Sequence, residues 1–253
     1  MDRDRISAIT HGDRAFHNPV DVARVTEAVD RLGLGPGDRV LDVGCGAGEL
    51  LVDLAVRHGC GGFGFDTSET LIEEARRRVA ARAPGADLDF AAVSAADVVP
   101  DGSFAAACCL GSMHAIGGLR TGLAWLRRAI APGGALLVAE GFWARTPDPA
   151  FLAALGATED ELPSFEGLLA TCGEAGLEPV WLATSTPEDW ERYEWTLISN
   201  GDRWVREHPG DPLAAGVRSW IDAARGRLLA PGGTATIGFA LIMLRPSTGG
   251  SAA

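Results

Sequence analysis

The chain has 253 residues, 47% of them hydrophobic, and a formal charge of −12, so it can bury the core of one large α/β domain. An acidic chain repels phosphate backbones, no apolar run reaches the ~20 residues that cross a bilayer, and Met1–Arg5 lacks a leader's apolar segment. A cytoplasmic protein that engages neither nucleic acid nor membrane is therefore expected. All 22 basic residues are arginine, which removes lysine-nucleophile and Schiff-base chemistry. The five cysteines, at 45, 60, 108, 109 and 172, form no C-x-x-C pair, so neither a disulfide framework nor a metal site is expected.

Residues 1–20 are an aromatic and polar mix that includes His11, Arg14, His17, Asn18 and Pro19. Val22, Val25, Val29 and Leu32 then recur at helical spacing. A first strand is predicted over 39–44, a helix over 47–58 and a second strand over 62–66. A helix from about 69 to 82 follows, with Ile72, Ala75 and Val79 on one face. Its Arg76-Arg77-Arg78 run reads as a solvated face. Strands are predicted over 88–93, 104–110 and 135–140, with a helix carrying Leu119, Leu123, Leu126 and Ile130 before the last. A helix over 165–176, a strand over 179–184, helices over 187–208 and 212–229, and a strand over 234–244 complete the chain. Strands alternating with helices imply a parallel sheet with right-handed crossovers, which collects ligands at the carboxyl ends of its strands.

Asp42-Val43-Gly44-Cys45-Gly46-Ala47-Gly48 joins the first strand to its helix. Glycines there let backbone approach a ligand, and the following helix offers its first N–H groups to an anion. Glu49 stands where a nicotinamide fingerprint needs a small residue. Asp66, 22 residues past Gly44, closes the second strand where an α/β nucleotide site places the acid for ribose hydroxyls.

With Leu126–Glu140, a helix, a Pro-Gly-Gly turn and a strand, these residues resemble the class I S-adenosylmethionine (SAM)-dependent methyltransferases. His17-Asn18-Pro19, Glu140-Gly141-Phe142-Trp143 and Asp189–Glu194 resemble a bacterial small-molecule subgroup described as cyclopropane-fatty-acid-synthase-like. The resemblance implies a Rossmann-like seven-stranded sheet of order 3-2-1-4-5-7-6, the last strand antiparallel and helices on both faces. It makes 1–253 a single domain, 1–35 an N-terminal cap and 186–232 a helical lid inserted between strands six and seven.

The resemblance also implies SAM as cofactor and a small-molecule acceptor methylated at N or O, by a monomer or homodimer. Gly44, Cys45 and Gly46 would pass under the methionyl and ribose parts, Asp42 would contact the amino group, and Asp66 with Thr67 would hold the ribose. The family's acid for the adenine amine is missing: position 94 is serine, so Ser94 and Ala95 take that place. Gly111 would let the backbone approach SAM. His114 is either the acceptor's base or a helix cap, and His17 either a base or part of the site's closure. Tyr193 joins them as a catalytic candidate. Glu140, Trp143, Trp190 and Glu194 either line the acceptor pocket or pack the lid; aromatics beside carboxylates would suit an amine-bearing acceptor. Two further readings share these residues: an enzyme that spends SAM by cyclisation or aminocarboxypropyl transfer, and a SAM-binding protein without catalysis.

Overall fold

The computed structural model describes residues 3–12 and 14–247; the tail after Ser247, with Met1, Asp2 and Asp13, lies outside the described residues. In chain order come α1 (Arg3–His11), α2 (Val22–Arg31), β1 (Arg39–Val43), α3 (Glu49–His58), β2 (Gly61–Asp66), α4 (Glu69–Arg82), β3 (Leu88–Ala92), β4 (Phe104–Leu110), α5 (Leu119–Ala129) and β5 (Ile130–Trp143). Then follow α6 (Pro149–Leu155), α7 (Phe165–Glu174), β6 (Leu177–Thr184), α8 (Pro187–Glu207), α9 (Ala214–Leu229) and β7 (Ile237–Pro246). Two of these, α1 and α6, fall where the sequence reading placed no element.

The strands form one mixed sheet of order β3-β2-β1-β4-β5-β7-β6, with β7 the antiparallel member. β1 pairs in parallel with β2 and with β4, so Asp42 lies between Gly64 and Cys108. The central strands are buried on both faces, as parallel strands under helices are, and read as apolar runs. β5 begins earlier than predicted. Ile130 pairs with Phe104, a register shift follows, and Ala135 resumes opposite Ala106. The Pro-Gly-Gly turn thus lies within a bulged strand, where a Cβ on Gly134 would come within 2.9 Å of the Ala105 carbonyl.

The chain divides into two compact bodies. The larger comprises Val22–Glu140, Glu166–Ala183 and residues 240–247, and its core carries Phe65, Leu41, Leu51, Leu123 and Leu136, each 2% exposed or less. Burying one such side chain stabilises by about 1.5–3 kcal/mol. The Arg76-Arg77-Arg78 run is not simply solvated. Arg76 donates to the Phe90 carbonyl, and Arg78 and Arg82 both pair with Glu49, the first residue of α3.

The other body comprises the described residues of 3–21, with Gly141–Phe165 and Thr184–Phe239. Its core joins Ile6 of α1, Ile198 and Val205 of α8, and Val217, Ile221 and Ala224 of α9. α8 opens with a reciprocal cap: Asp189 N–H donates to Thr186 Oγ1 while Thr186 N–H donates to the Asp189 carboxylate. Pro187 occupies the first turn, where its missing N–H costs nothing.

Candidate functional site

The turn between β1 and α3 is built from its glycines upward. Gly44 has φ +66°, and a Cβ there would stand 2.4 Å from Ser112 Cβ and Oγ, so the loop lies directly against the turn after β4. Gly46 differs. At φ +53° its absent Cβ points into open space, a shelf that a ligand could cover. The loop's own donors are largely committed: Gly44 and Cys45 N–H both reach the Phe65 carbonyl, and Gly48 N–H reaches the Cys45 carbonyl. At these positions the turn itself supplies room for a ligand more than donors, and any donors for an anion would be the first N–H groups of α3.

Asp66 organises the same place from the tip of β2. Its Oδ2 accepts from Gly46 N–H at 3.1 Å and its Oδ1 from Ser68 N–H at 3.0 Å. One carboxylate thereby fixes the glycine shelf and the start of α4. A cleft of about 320 Å³ opens here, lined by Gly44, Phe65, Asp66, Thr67, Val93, Ser94, Ala95, Ser112, His114 and Ala115. Six of the sequence-derived candidates meet in it: Gly44, Asp66, Thr67, Ser94, Ala95 and His114. Ser112 was missed, although it follows Gly111 at the carboxyl end of β4, where such sheets collect ligands.

The remaining candidates of this body are placed as follows. Gly111 follows β4 with φ +95°. Ser94 is exposed, its Oγ accepting from Ala96 N–H at 3.3 Å, and Ala95 is buried behind it. Cys45 is buried, its sulfur facing the Gly46 carbonyl and lying close to where a Gly64 Cβ would stand. Asp42 is 4% exposed beneath the loop; burial, and then the charge of Asp66, pushes its carboxyl up to about 8. His114 is exposed on a 3-10 turn, Met113–Ile116, and Glu140 is half-buried on β5.

The other body holds the rest, four of them in two groups and Trp143 apart. Tyr193 Oη lies 2.8 Å from His11 Nε2 and donates to the His17 carbonyl at 3.1 Å. The His11 and His17 rings stack at 4.0 Å, and Arg14 lies 4.9 Å over the Tyr193 ring. Trp190 and Glu194 line a second cavity of about 290 Å³ with Phe151, Leu155, Arg227 and Ile237. Arg227 stands 3.7 Å from Glu194 Oε2, and burial raises the Glu194 carboxyl. Glu194, one of the acids expected beside an amine-bearing acceptor, thus already faces an arginine of the chain itself. Trp143 is buried, its indole N–H donating to the Glu159 carbonyl at 2.7 Å.

A family model described as "Methyltransferase domain" matches residues 40–134. The uncharacterized protein YjhP of Escherichia coli (strain K12) is 30% identical over 227 residues, 88% of this chain and 91% of YjhP. A SAM-dependent methyltransferase from Geobacter sulfurreducens, solved in complex with S-adenosyl-L-homocysteine (SAH), superposes with TM-score 0.87 at 30% identity, covering 96% of this chain and 98% of that one. The chain belongs to the class I SAM-dependent methyltransferases. The 27-O-demethylrifamycin SV methyltransferase of Amycolatopsis mediterranei (strain S699) is also 30% identical, over 87% of this chain and 83% of its own.

The residues present fit the family's cofactor. A Cβ-free shelf beside Asp66 gives a flat ligand its approach. Beneath it, a carboxyl held up to about 8 by burial and a second acid is a site that a positive charge would relieve. In this enzyme family SAM supplies an activated methyl group, so the protein's work is binding, alignment and proton removal. Among the described residues no group of His, Cys, Asp and Glu could hold a metal ion, and no helix is long and apolar enough to cross a membrane.

Proposed function

We propose that this methyltransferase transfers its methyl group to nitrogen or oxygen of a small molecule. The observation that carries the reading is the cleft at the strand ends, where Asp66 clamps the Gly46 shelf and His114 stands on the rim. SAM would lie with its ribose hydroxyls on Asp66 and Thr67 and its methionyl part over Gly44, Cys45 backbone and Gly46. Its amino group would answer Asp42, and Gly111 would leave its passage open. Adenine would lie against Ser94 and Ala95. Because Ser94 Oγ already accepts a bond, its own hydrogen is the natural contact to a ring nitrogen.

His114, Tyr193 and His17 are the proposed groups for proton removal and closure. Glu140, Trp190 and Glu194 are proposed for the acceptor, while Trp143, its N–H already engaged, would contribute only ring surface. Residues 1–35 and 186–232 would act as cap and lid. A monomer or homodimer in the cytoplasm, free of nucleic acid, completes the reading, and the rifamycin-methylating relative supports an organic small-molecule acceptor.

Mass spectrometry tests the reaction. The chain is incubated with SAM and a panel of hydroxyl- and amine-bearing small molecules. A gain of one methyl with matching SAH is expected for at least one member. Methylthioadenosine formed from SAM without acceptor would overturn methyl transfer.

A further inference from the structure

We infer that His11 and Tyr193 form a proton relay for a hydroxyl acceptor, which would make this enzyme an O-methyltransferase. The inference rests on Tyr193 touching the acceptor, as proposed above. Tyr193 is the single tyrosine of the chain, on α8, and its partner His11 ends α1.

Geometry fixes which way the hydrogen bonds run. His11 Nδ1 lies 2.9 Å from the Ser7 carbonyl, which can only accept, so Nδ1 carries the hydrogen. Ser7 Oγ, 3.2 Å away, can share it. In the neutral ring Nε2 then holds a lone pair, and it faces Tyr193 Oη at 2.8 Å. The phenol hydrogen therefore has two acceptors, His11 Nε2 and, more distantly, the His17 carbonyl at 3.1 Å. The stacked His17 ring sets the plane of His11.

The surroundings suit a transient transfer. Burial, and then Arg14, lower the His11 pKa against the Ser7 bond, so the imidazole is neutral near pH 7. Burial and Glu194 raise the Tyr193 phenol, with Arg14 opposing, so no standing phenolate forms. The charged groups around the pair are Arg14, Arg192 and Glu194, with His17 the other titratable ring. As the acceptor's O–H proton passes to Tyr193 Oη, the phenol's own proton passes to His11 Nε2. The acceptor loses one proton and gains one methyl, and water later takes the proton from His11. A hydroxyl needs this help because its oxygen is a weak nucleophile until its proton leaves; a neutral amine attacks with a lone pair already free.

The lone tyrosine allows a direct test on the whole chain. With ¹³C at tyrosine Cζ, one resonance reports Tyr193. Lowering the pH from roughly 8 to 4 protonates His11, which then can no longer accept from the phenol. One step in the Cζ shift is expected, below the usual histidine value of about 6.5, and it disappears in His11→Gln. Should His11→Gln not fold, His17→Gln decides: the step should persist there, and its loss would assign it to His17 and overturn the relay. A flat Cζ shift would mean that Tyr193 donates to the His17 carbonyl in a plain strap, and would overturn the relay. SAH binding by the same sample keeps the cofactor reading separate. In the acceptor panel, methyl gain by hydroxyl members is expected; products from amines alone would overturn the acceptor class.

Discussion

Asp42 sits on β1 with Gly64 paired on one side and Cys108 on the other, and at 4% exposure its carboxyl is shut away from water. Its pKa, raised to about 8 in the fold, lies far above the ~3.9 of an unfolded chain. The folded state therefore binds the proton more tightly. The stability this group contributes is full below the unfolded value and is lost as pH rises through the window to about 8. Without ligand, the melting temperature of the wild type should fall more between pH 5 and pH 8 than that of Asp42→Asn. Saturating SAM should reduce the difference, since its ammonium would compensate the carboxylate. Equal slopes in the two proteins would show that Asp42 is not the buried acid described.

Asp66, proposed for the ribose, has a structural part that spacing hides. The spacing from Gly44 marked it as a ribose acid, but nothing in spacing reveals that its oxygens also hold Gly46 and Ser68. His11 escaped the sequence reading because the partner that gives it meaning, Tyr193, lies 182 residues away.

At the scale of elements, local chemistry explains some helices and tertiary packing the others. α8 carries its own start signal in Thr186-Pro187-Glu188-Asp189, and the reciprocal bonds are present. Thr186→Ala should cost about 1 kcal/mol, lowering the melting temperature by a few degrees, which calorimetry would measure. An unchanged melting temperature would mean that packing on α1 and α9 alone holds the helix start. Among its described side chains α1 offers only Ile6, Ile9 and the buried Thr10 as an inward face, too little periodicity to mark a helix. A nine-residue helix is marginal by itself and is held by its packing on α8. α6, by contrast, was legible. Asp148 caps it, Pro149 begins it and Gly156 ends it in the left-handed conformation, signals that the reading passed over because the segment is short. The bulge in β5 was not legible, since Pro-Gly-Gly reads equally as a turn.

For the whole molecule, alternating strands and helices imply parallel strands with right-handed crossovers, whereas the strand order came only with the resemblance to the methyltransferases, because many orders satisfy the same alternation. Composition says nothing of how the chain divides, and the two compact bodies are a result of structure alone. The account's central claim is a cofactor site organised by Asp66. Calorimetric titration of SAH into the whole chain tests it most directly. The wild type should bind at one site, and Asp66→Ala should bind more weakly by about 1.5–3 kcal/mol, roughly 10- to 150-fold, with circular dichroism confirming that it is folded. Equal affinity in a folded Asp66→Ala protein, or no binding by the wild type, would contradict the account.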